Sequence, residues 1–217
     1  VAPCVPTTTL VGATVTDVQW VVEAYALTLS ALLLTGGSLG DLRGRRRVFT
    51  LGVAIFAVCS ALCGFATSIN QLIVARAMQG IGAALLVPNC LALISASFPD
   101  AARGKAIGTW SAFTSITMVI GPLVGGSLID HASWRAIFFI NVPLAGLVAF
   151  LTLRYVPESR EAKRRALDLA GALLATTGLA AVVFGLIESS TRGFASPLIW
   201  GALAAGTRTP ESLPDGA

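Results

Sequence analysis

The chain has 217 residues, of which 55% are hydrophobic and 12% charged; its mean hydropathy is +0.79 and its formal net charge is +4. Soluble domains carry about 25% charged residues, so this chain has too few charges to cover a water-exposed surface. Its basic residues are divided among short segments and form no stripe with interleaved aromatic residues, which argues against a nucleic-acid partner.

Long apolar runs dominate the chain, and a helix needs about 17 to 25 such residues to cross a bilayer. Backbone polar groups inside a bilayer must be paired within the protein, and the short alternating segments of a membrane barrel are absent. We therefore predict an all-α, polytopic membrane helix bundle. The apolar runs lie at 18–36, 48–67, 72–97, 106–129, 136–156 and 167–187.

The opening residues, 1–16, place no positive region ahead of an apolar core, so no cleavable signal peptide is evident. We interpret this segment as a loop or the end of a helix. Just before the first apolar run, Asp17 is predicted to be an N-cap, and Glu23 follows it by six residues, or about 9 Å along a helix.

The segments between the runs alternate in basic content. Those at 40–47, 98–105 and 154–166 hold most of the arginines and lysines, whereas those at 67–71, 130–135 and 188–193 hold only Arg135 and Arg192. Because basic loops stay on the cytoplasmic side of a membrane, the first set is predicted to be cytoplasmic and the second to face outward.

The first basic segment, "GDLRGRRR" at 40–47, also has a specific spacing of glycines and a carboxylate. It resembles the motif between the second and third helices of the major facilitator superfamily. The resemblance implies a conformational latch on the cytoplasmic side, while a segment that merely orients the protein is the alternative. The matching positions are Gly37, Leu39, Asp41, Gly44, Arg45 and Arg47. Gly37 would let a neighbouring helix approach closely, Gly44 suits a tight turn, and Asp41 can pair with an arginine or with a helix N-terminus.

A second match is "LIVARAMQGIGAA" at 72–84, which resembles the superfamily pattern of an intramembrane arginine followed by Gln-Gly-x-Gly. A cation within a span costs about 2.5 to 3.5 kcal/mol or more, so Arg76 should face the bundle interior and have an acceptor. The resemblance implies a role in proton coupling; snorkelling to the outer interface is the alternative. Gly80 and Gly82 would permit close helix packing.

A third match, "GPLVGG" at 121–126, resembles the fifth-helix motif of the superfamily's antiporters. Pro122 removes a backbone donor, and Gly121, Gly125 and Gly126 keep one face thin for packing. Thr117 departs from the family pattern, which often has glycine there. An ordinary span that contains glycine and proline is the alternative.

Two further segments, 133–146 and 167–198, resemble the fourteen-helix drug/proton antiporters. The resemblance covers about residues 17–200 and implies the N-terminal half of a major facilitator fold that lacks the first helix. We divide the chain into a remnant at 1–17, a transporter bundle at 18–156, a basic loop at 157–166, an additional span at 167–187, and an outer loop with a truncated helix and polar tail at 188–217.

Catalytic and metal sites are not predicted. Three of the cysteines, Cys59, Cys63 and Cys90, lie in apolar runs and are interpreted as small packing residues. The single histidine, His131, is placed in an outer loop without triad or metal partners. We therefore expect neither an enzyme nor a cofactor, and take the proton gradient as the driving force.

The function implied by the resemblance is proton-coupled efflux of small amphipathic compounds, such as drugs or antibiotics, across the cytoplasmic membrane by alternating access. The partners are then the substrate, protons and the lipid bilayer. A facilitator for a defined metabolite and an inactive membrane remnant are the alternatives.

Glu23 is a further candidate for proton coupling, because the family often has a neutral polar residue at that position. If Glu23 faces the interior, burial would favour its protonated form, while a cation such as Arg76 would oppose this. The alternative is an interfacial carboxylate in contact with water.

Overall fold

The computed structural model describes residues 15–159 and isolated positions between 174 and 204. Residues 15–159 form helices and no strand, which confirms the all-α prediction. The predictions for 1–14, 160–166, 167–187 and 188–217 fall outside the described residues or on only isolated positions of them. The helices are α1 Val15–Arg43, α2 Arg45–Phe65, α3 Ile69–Ser97, α4 Asp100–His131, α5 Ala136–Phe139 and α6 Asn141–Tyr155.

Helical segments long and apolar enough to cross a membrane number five within the described part of the chain. At 1.5 Å per residue the 29 residues of α3 extend about 44 Å, which exceeds a hydrocarbon core of about 30 Å. The ends of such helices therefore reach water. The segments are Asp17–Arg43, Arg45–Phe65, Ile69–Ser97, Asp100–His131 and Ala136–Tyr155.

Helix α3 is the centre of the packing, because α1 and α2 both pack against it extensively, and α2 also packs on α6. Close approach depends on glycines that face different neighbours. A Cβ atom on Gly80 would collide with Thr28 and the Tyr25 carbonyl of α1, whereas one on Gly82 would collide with the backbone of α2 at Phe56. Gly80 and Gly82 thus lie at helix contacts, where small residues let membrane helices approach.

Helix α1 contributes its own small residues to its contact with α3, namely the small-xxx-small pair Gly36 and Gly40. A Cβ on Gly36 would strike the Ala84 carbonyl, and one on Gly40 would strike the Asn89 carboxamide. At the predicted packing residue, Gly37, the added Cβ would make only an ordinary contact with Pro88 at 3.5 Å. The close-packing role assigned to Gly37 therefore belongs to Gly36 and Gly40, which are one helical turn apart and share a face.

Three boundary predictions are wrong. The segment at 40–47 is helical except for Gly44, and the segment at 98–105 is mostly the first turns of α4, which begins at Asp100. Hydropathy locates the apolar part of a helix, but the helix continues into charged residues wherever the backbone hydrogen bonds can continue. For the same reason Asp17 lies in the first turn of α1, which begins at Val15, and is not its N-cap.

The run at 136–156 is also interrupted, since α5 ends at Phe139 and α6 begins at Asn141. Pro143 explains the break: it has no N–H, and its ring crowds the carbonyl four residues earlier, that of Phe139. Around the break, Ser60 of α2 donates to the Phe138 carbonyl at 2.9 Å, and Asn141 Nδ2 donates to Ser60 Oγ at 3.1 Å.

Candidate functional site

The link between α1 and α2 is a single residue, Gly44, with φ of +107°. Only glycine adopts this conformation without strain. The Gly44 N–H donates to the Gly40 carbonyl at 2.9 Å, and the Gly44 carbonyl accepts from Val48 N at 3.1 Å, so hydrogen bonding continues through the turn. A Cβ at Gly44 would also meet the Glu158 carboxylate.

Asp41 and Arg45 pair across this turn. Arg45 Nη2 and Nε lie 2.8 and 2.9 Å from Asp41 Oδ1, so both ends of the guanidinium edge contact one carboxylate oxygen. The pair joins the last turn of α1 to the first turn of α2. The predicted motif residues Asp41, Gly44 and Arg45 are therefore brought together, and Arg47 lies one turn before Leu51 on the same short stretch of α2.

Glu158, which the sequence reasoning missed, connects this motif to the end of α6. Its Oε1 accepts from the Arg46 backbone N–H at 3.0 Å, and its Oε2 lies 3.5 Å from Arg47 Nε and 3.9 Å from Arg46 Nε. Arg46 Nη1 also donates to the Val156 carbonyl at 3.1 Å, and Arg45 N donates to the Ser159 carbonyl at 3.0 Å. Residues 156–159 thus cap the N-terminus of α2, where unpaired N–H groups and the helix dipole favour a carboxylate.

We call Asp41, Arg45, Arg46, Arg47 and Glu158 the basic cluster. The side chains of Glu158 and Arg46 do not form a hydrogen bond with each other. Glu158 Oε2 and Arg46 Nε are both buried without a hydrogen-bond partner among the described residues. Their separation of 3.9 Å is within ion-pair range but too long for a hydrogen bond. The cluster therefore contains one well-formed pair, at Asp41, and one looser one, at Glu158.

Arg76 lies between α3 and α1 with acceptors on both. Its Nε donates to the Val21 carbonyl at 3.1 Å, its Nη1 donates to Gln79 Oε1 at 2.8 Å, and its Cζ lies 4.2 Å from the centre of the Tyr25 ring. Gln79 is only 1% exposed, and the Cys63 thiol of α2 lies 3.9 Å from the same Oε1. The residues Val21, Tyr25, Arg76 and Gln79 are called the Arg76 site below.

The direction of the Arg76 side chain distinguishes the two interpretations of this residue. Arg76 is seven residues beyond Ile69, so it lies about 10 Å into α3. A snorkelling side chain would extend back toward the near end of the helix. Gln79 is instead three residues deeper, and the Val21 carbonyl lies on the neighbouring helix. The arrangement favours an interior cation, and its role in proton coupling stays a prediction.

Glu23 is half-buried but is not brought to Arg76. The Tyr25 ring faces Arg76, and Glu23 precedes it by two residues, which rotates its side chain by about 200° around α1. The described part of the chain contains no hydrogen bond or ion pair to the Glu23 carboxylate. Its role in coupling also stays a prediction, and its helical position favours the interfacial alternative.

The third motif does not pack in the described structure. Gly121, Gly125 and Gly126 have no atom of a neighbouring element within 4 Å of the position where a Cβ would lie. Pro122 lies inside α4, which is helical on both sides of it, and α4 has no buried residue. The packing partner that the motif implies is not among the described residues.

The remaining candidates are structural. Cys59 and Cys63 are buried free thiols in α2, as packing residues would be. His131 is the last residue of α4, not part of a loop, and its Nδ1 lies 3.0 Å from the Ser127 carbonyl. Among the residues described, no three His, Cys, Asp or Glu side chains group into a metal site.

The family model for the Major Facilitator Superfamily matches residues 1–208. The Multidrug resistance protein Stp of Mycobacterium tuberculosis is 44% identical over 82% of this chain and 33% of the relative. The Tetracenomycin C resistance and export protein of Streptomyces glaucescens is 39% identical over 89% of this chain and 36% of the relative.

A third relative, the Methylenomycin A resistance protein of Bacillus subtilis, is 38% identical over 87% of this chain and 40% of its own length. The chain thus spans about a third to two fifths of the length of these relatives. The family match extends over nearly the whole chain, and the membrane-spanning helices agree with it. The chain belongs to the Major Facilitator Superfamily.

Proposed function

We propose that this chain forms part of a proton-coupled exporter that moves small amphipathic compounds across the cytoplasmic membrane by alternating access. The observation that carries the proposal is the Arg76 site, a cation held inside the bundle of a chain whose relatives are named for multidrug resistance and antibiotic export. Transport, and not catalysis, is the activity proposed for the complete protein.

The Arg76 site suits a coupling role because it connects three helices through one guanidinium. The guanidinium bonds to the backbone of α1 and to Gln79 of α3, and Gln79 in turn contacts Cys63 of α2. A change of charge or ligand near Arg76 would therefore alter contacts of all three helices. A ligand shifts a conformational equilibrium only through different contacts in the two states, and this network supplies such contacts.

The basic cluster suits a latch because it joins elements distant in the sequence. Glu158 follows α6, and its partners lie in the first turn of α2, 112 residues earlier. The contacts of Glu158 with the first turn of α2 contribute only about 1 to 2 kcal/mol, so a conformational change can open them. We propose that Glu158, together with Asp41, holds the basic end of the bundle closed in one transport state.

The experiment is a chimera in which this chain replaces the matching region of the Tetracenomycin C resistance and export protein. Inside-out vesicles with this chimera should accumulate a fluorescent amphipathic cation when a proton gradient is applied, and lose it when an uncoupler is added. Arg76→Gln should reduce proton-driven transport about tenfold or more, since a hydrogen bond to a charged group contributes about 1.5 to 3 kcal/mol and about 1.4 kcal/mol is a factor of ten. Arg103→Gln, which removes an arginine that is paired with Asp100 outside the Arg76 site, is the matched control.

Three outcomes separate the candidates. Uptake that is unchanged when the uncoupler is added would contradict proton coupling. Uptake of one metabolite and of no amphipathic cation would favour the facilitator. A chimera that inserts normally but transports nothing, while the unmodified relative transports under the same conditions, would contradict the proposed function.

A further inference from the structure

A groove at the basic end of the molecule lies outside the Arg76 site and shares only Arg47 with the basic cluster. It is an open cavity of about 400 Å³ between the end of α1 and the start of α2. We call it the lipid groove, and its lining residues are Leu42, Arg43, Arg47, Val48 and Leu51.

The two arginines of this groove carry surplus positive charge. Arg45 is paired with Asp41, while Arg46 and Arg47 share the single carboxylate of Glu158. Arg43 makes no ion pair with any described residue. The side chain of Arg47 is 68% exposed, and its Nε lies 3.5 Å from Glu158 Oε2, too far for a hydrogen bond at ideal length. Both guanidinium groups are therefore available to an anion outside the protein.

The rest of the groove is apolar and continues along the membrane-spanning part of α2. Leu51 lies one turn beyond Arg47 on the same helix face and is 51% exposed. Val48 forms the floor between them. The groove therefore has two arginines at the membrane surface and apolar residues within the bilayer. This arrangement is complementary to an amphiphile with an anionic head group. A free anion would contact the arginines but not the apolar residues.

We propose that the lipid groove binds an anionic phospholipid, with the phosphate at Arg43 and Arg47 and an acyl chain along Val48 and Leu51. Basic residues at the membrane surface attract anionic lipid. A zwitterionic phospholipid would cover the same wall but would not neutralise the surplus charge. This site lies beyond the proposed transport function, and its test does not require transport.

Binding is measured on the whole 217-residue chain in detergent, by native mass spectrometry with titrated dioleoyl phosphatidylglycerol. The wild-type chain should bind this lipid at least tenfold more tightly than phosphatidylcholine with the same acyl chains. Each basic residue beside an anionic lipid contributes about fivefold, so R43Q/R47Q should weaken phosphatidylglycerol binding about 25-fold. The matched control is R103Q, at the same end of the bundle, where Arg103 is paired with Asp100.

Two further arms distinguish a lipid from a free anion. Glycerophosphoglycerol, the head group without acyl chains, and inorganic phosphate should not displace the lipid at equal concentration. Displacement by either would overturn the lipid assignment. Equal binding of the two phospholipids by the wild-type chain would overturn the proposal whether or not the double variant folds, as would an equal loss of binding in R103Q.

Discussion

Replacing Glu158 with alanine should selectively loosen the first turn of α2. The carboxylate accepts the Arg46 N–H at 3.0 Å, and loss of such a cap costs about 1 kcal/mol. Its ion-pair contacts with Arg47 and Arg46, at 3.5 and 3.9 Å, involve partly exposed side chains and add about 0.5 kcal/mol each. The total is about 1 to 2 kcal/mol.

Hydrogen exchange measures this loss directly, because the free energy of local opening sets the exchange rate of a protected amide. A change of 1.4 kcal/mol corresponds to a factor of about ten, so amides of residues 44–50 should exchange about 5 to 30 times faster in Glu158→Ala. Glu158→Gln should show about half the free-energy change, since its side-chain oxygen can still accept from Arg46 N. Mass spectrometry of the chain in detergent would follow both variants.

Asp100→Asn is the matched control, because Asp100 also lies in the first turn of a helix and pairs with Arg103 at 2.8 Å, but is 90% exposed. Exchange at 44–50 should be unchanged in this variant. A change of less than twofold in exchange at 44–50 in Glu158→Ala would show that Glu158 does not cap α2. Equal acceleration of exchange throughout α4 would show the same.

Three other substitutions have defined outcomes. Gly80→Leu should prevent α1 from packing on α3 and lower the melting temperature of the chain in detergent, whereas Gly104→Leu, at an open position, should not; equal melting of the two variants would contradict the packing. Asp41→Asn in the chimera should slow transport at normal expression and insertion, and unchanged transport would count against the latch. The profile of transport against external pH should be the same in Glu23→Gln as in the parent chimera, as expected for an interfacial carboxylate. A profile displaced along the pH axis would support a role of Glu23 in proton coupling.

Composition and apolar run length were sufficient to predict the fold class and the approximate positions of five spans. They did not locate the helix ends, because hydropathy does not detect a helix that continues into charged residues, as α1 does through Asp41 and Arg43. The break at Ile140 is predictable from Pro143, because any proline lacks the backbone N–H that would continue the helix. The run at 136–156 is predicted as one span because apolar residues predominate on both sides of Asn141.

The sequence predicted a tight turn at Gly44, and it left an arginine or a helix N-terminus as the partner of Asp41; the structure shows that this partner is Arg45. It could not predict Glu158, whose partners lie 112 residues earlier. The rule that orients a membrane protein counts only its lysines and arginines, so it gave no weight to the Glu158 carboxylate. The acceptors of Arg76 show the same limit, since the Val21 carbonyl is a backbone atom of another helix, and no residue pattern encodes such a contact.

The central position of α3 determines when this bundle becomes stable during synthesis. Helices α1 and α2 touch each other much less than each touches α3, so their own contact does little to hold them together before α3 enters the bilayer. The ribosome adds about 5 to 20 residues per second, so several seconds separate completion of α2 at Phe65 from that of α3 at Ser97. During this interval the glycine faces of these two helices are open to membrane chaperones and proteases. Substitutions that delay the docking of α3 should therefore lower the cellular yield of the protein more than its stability once assembled.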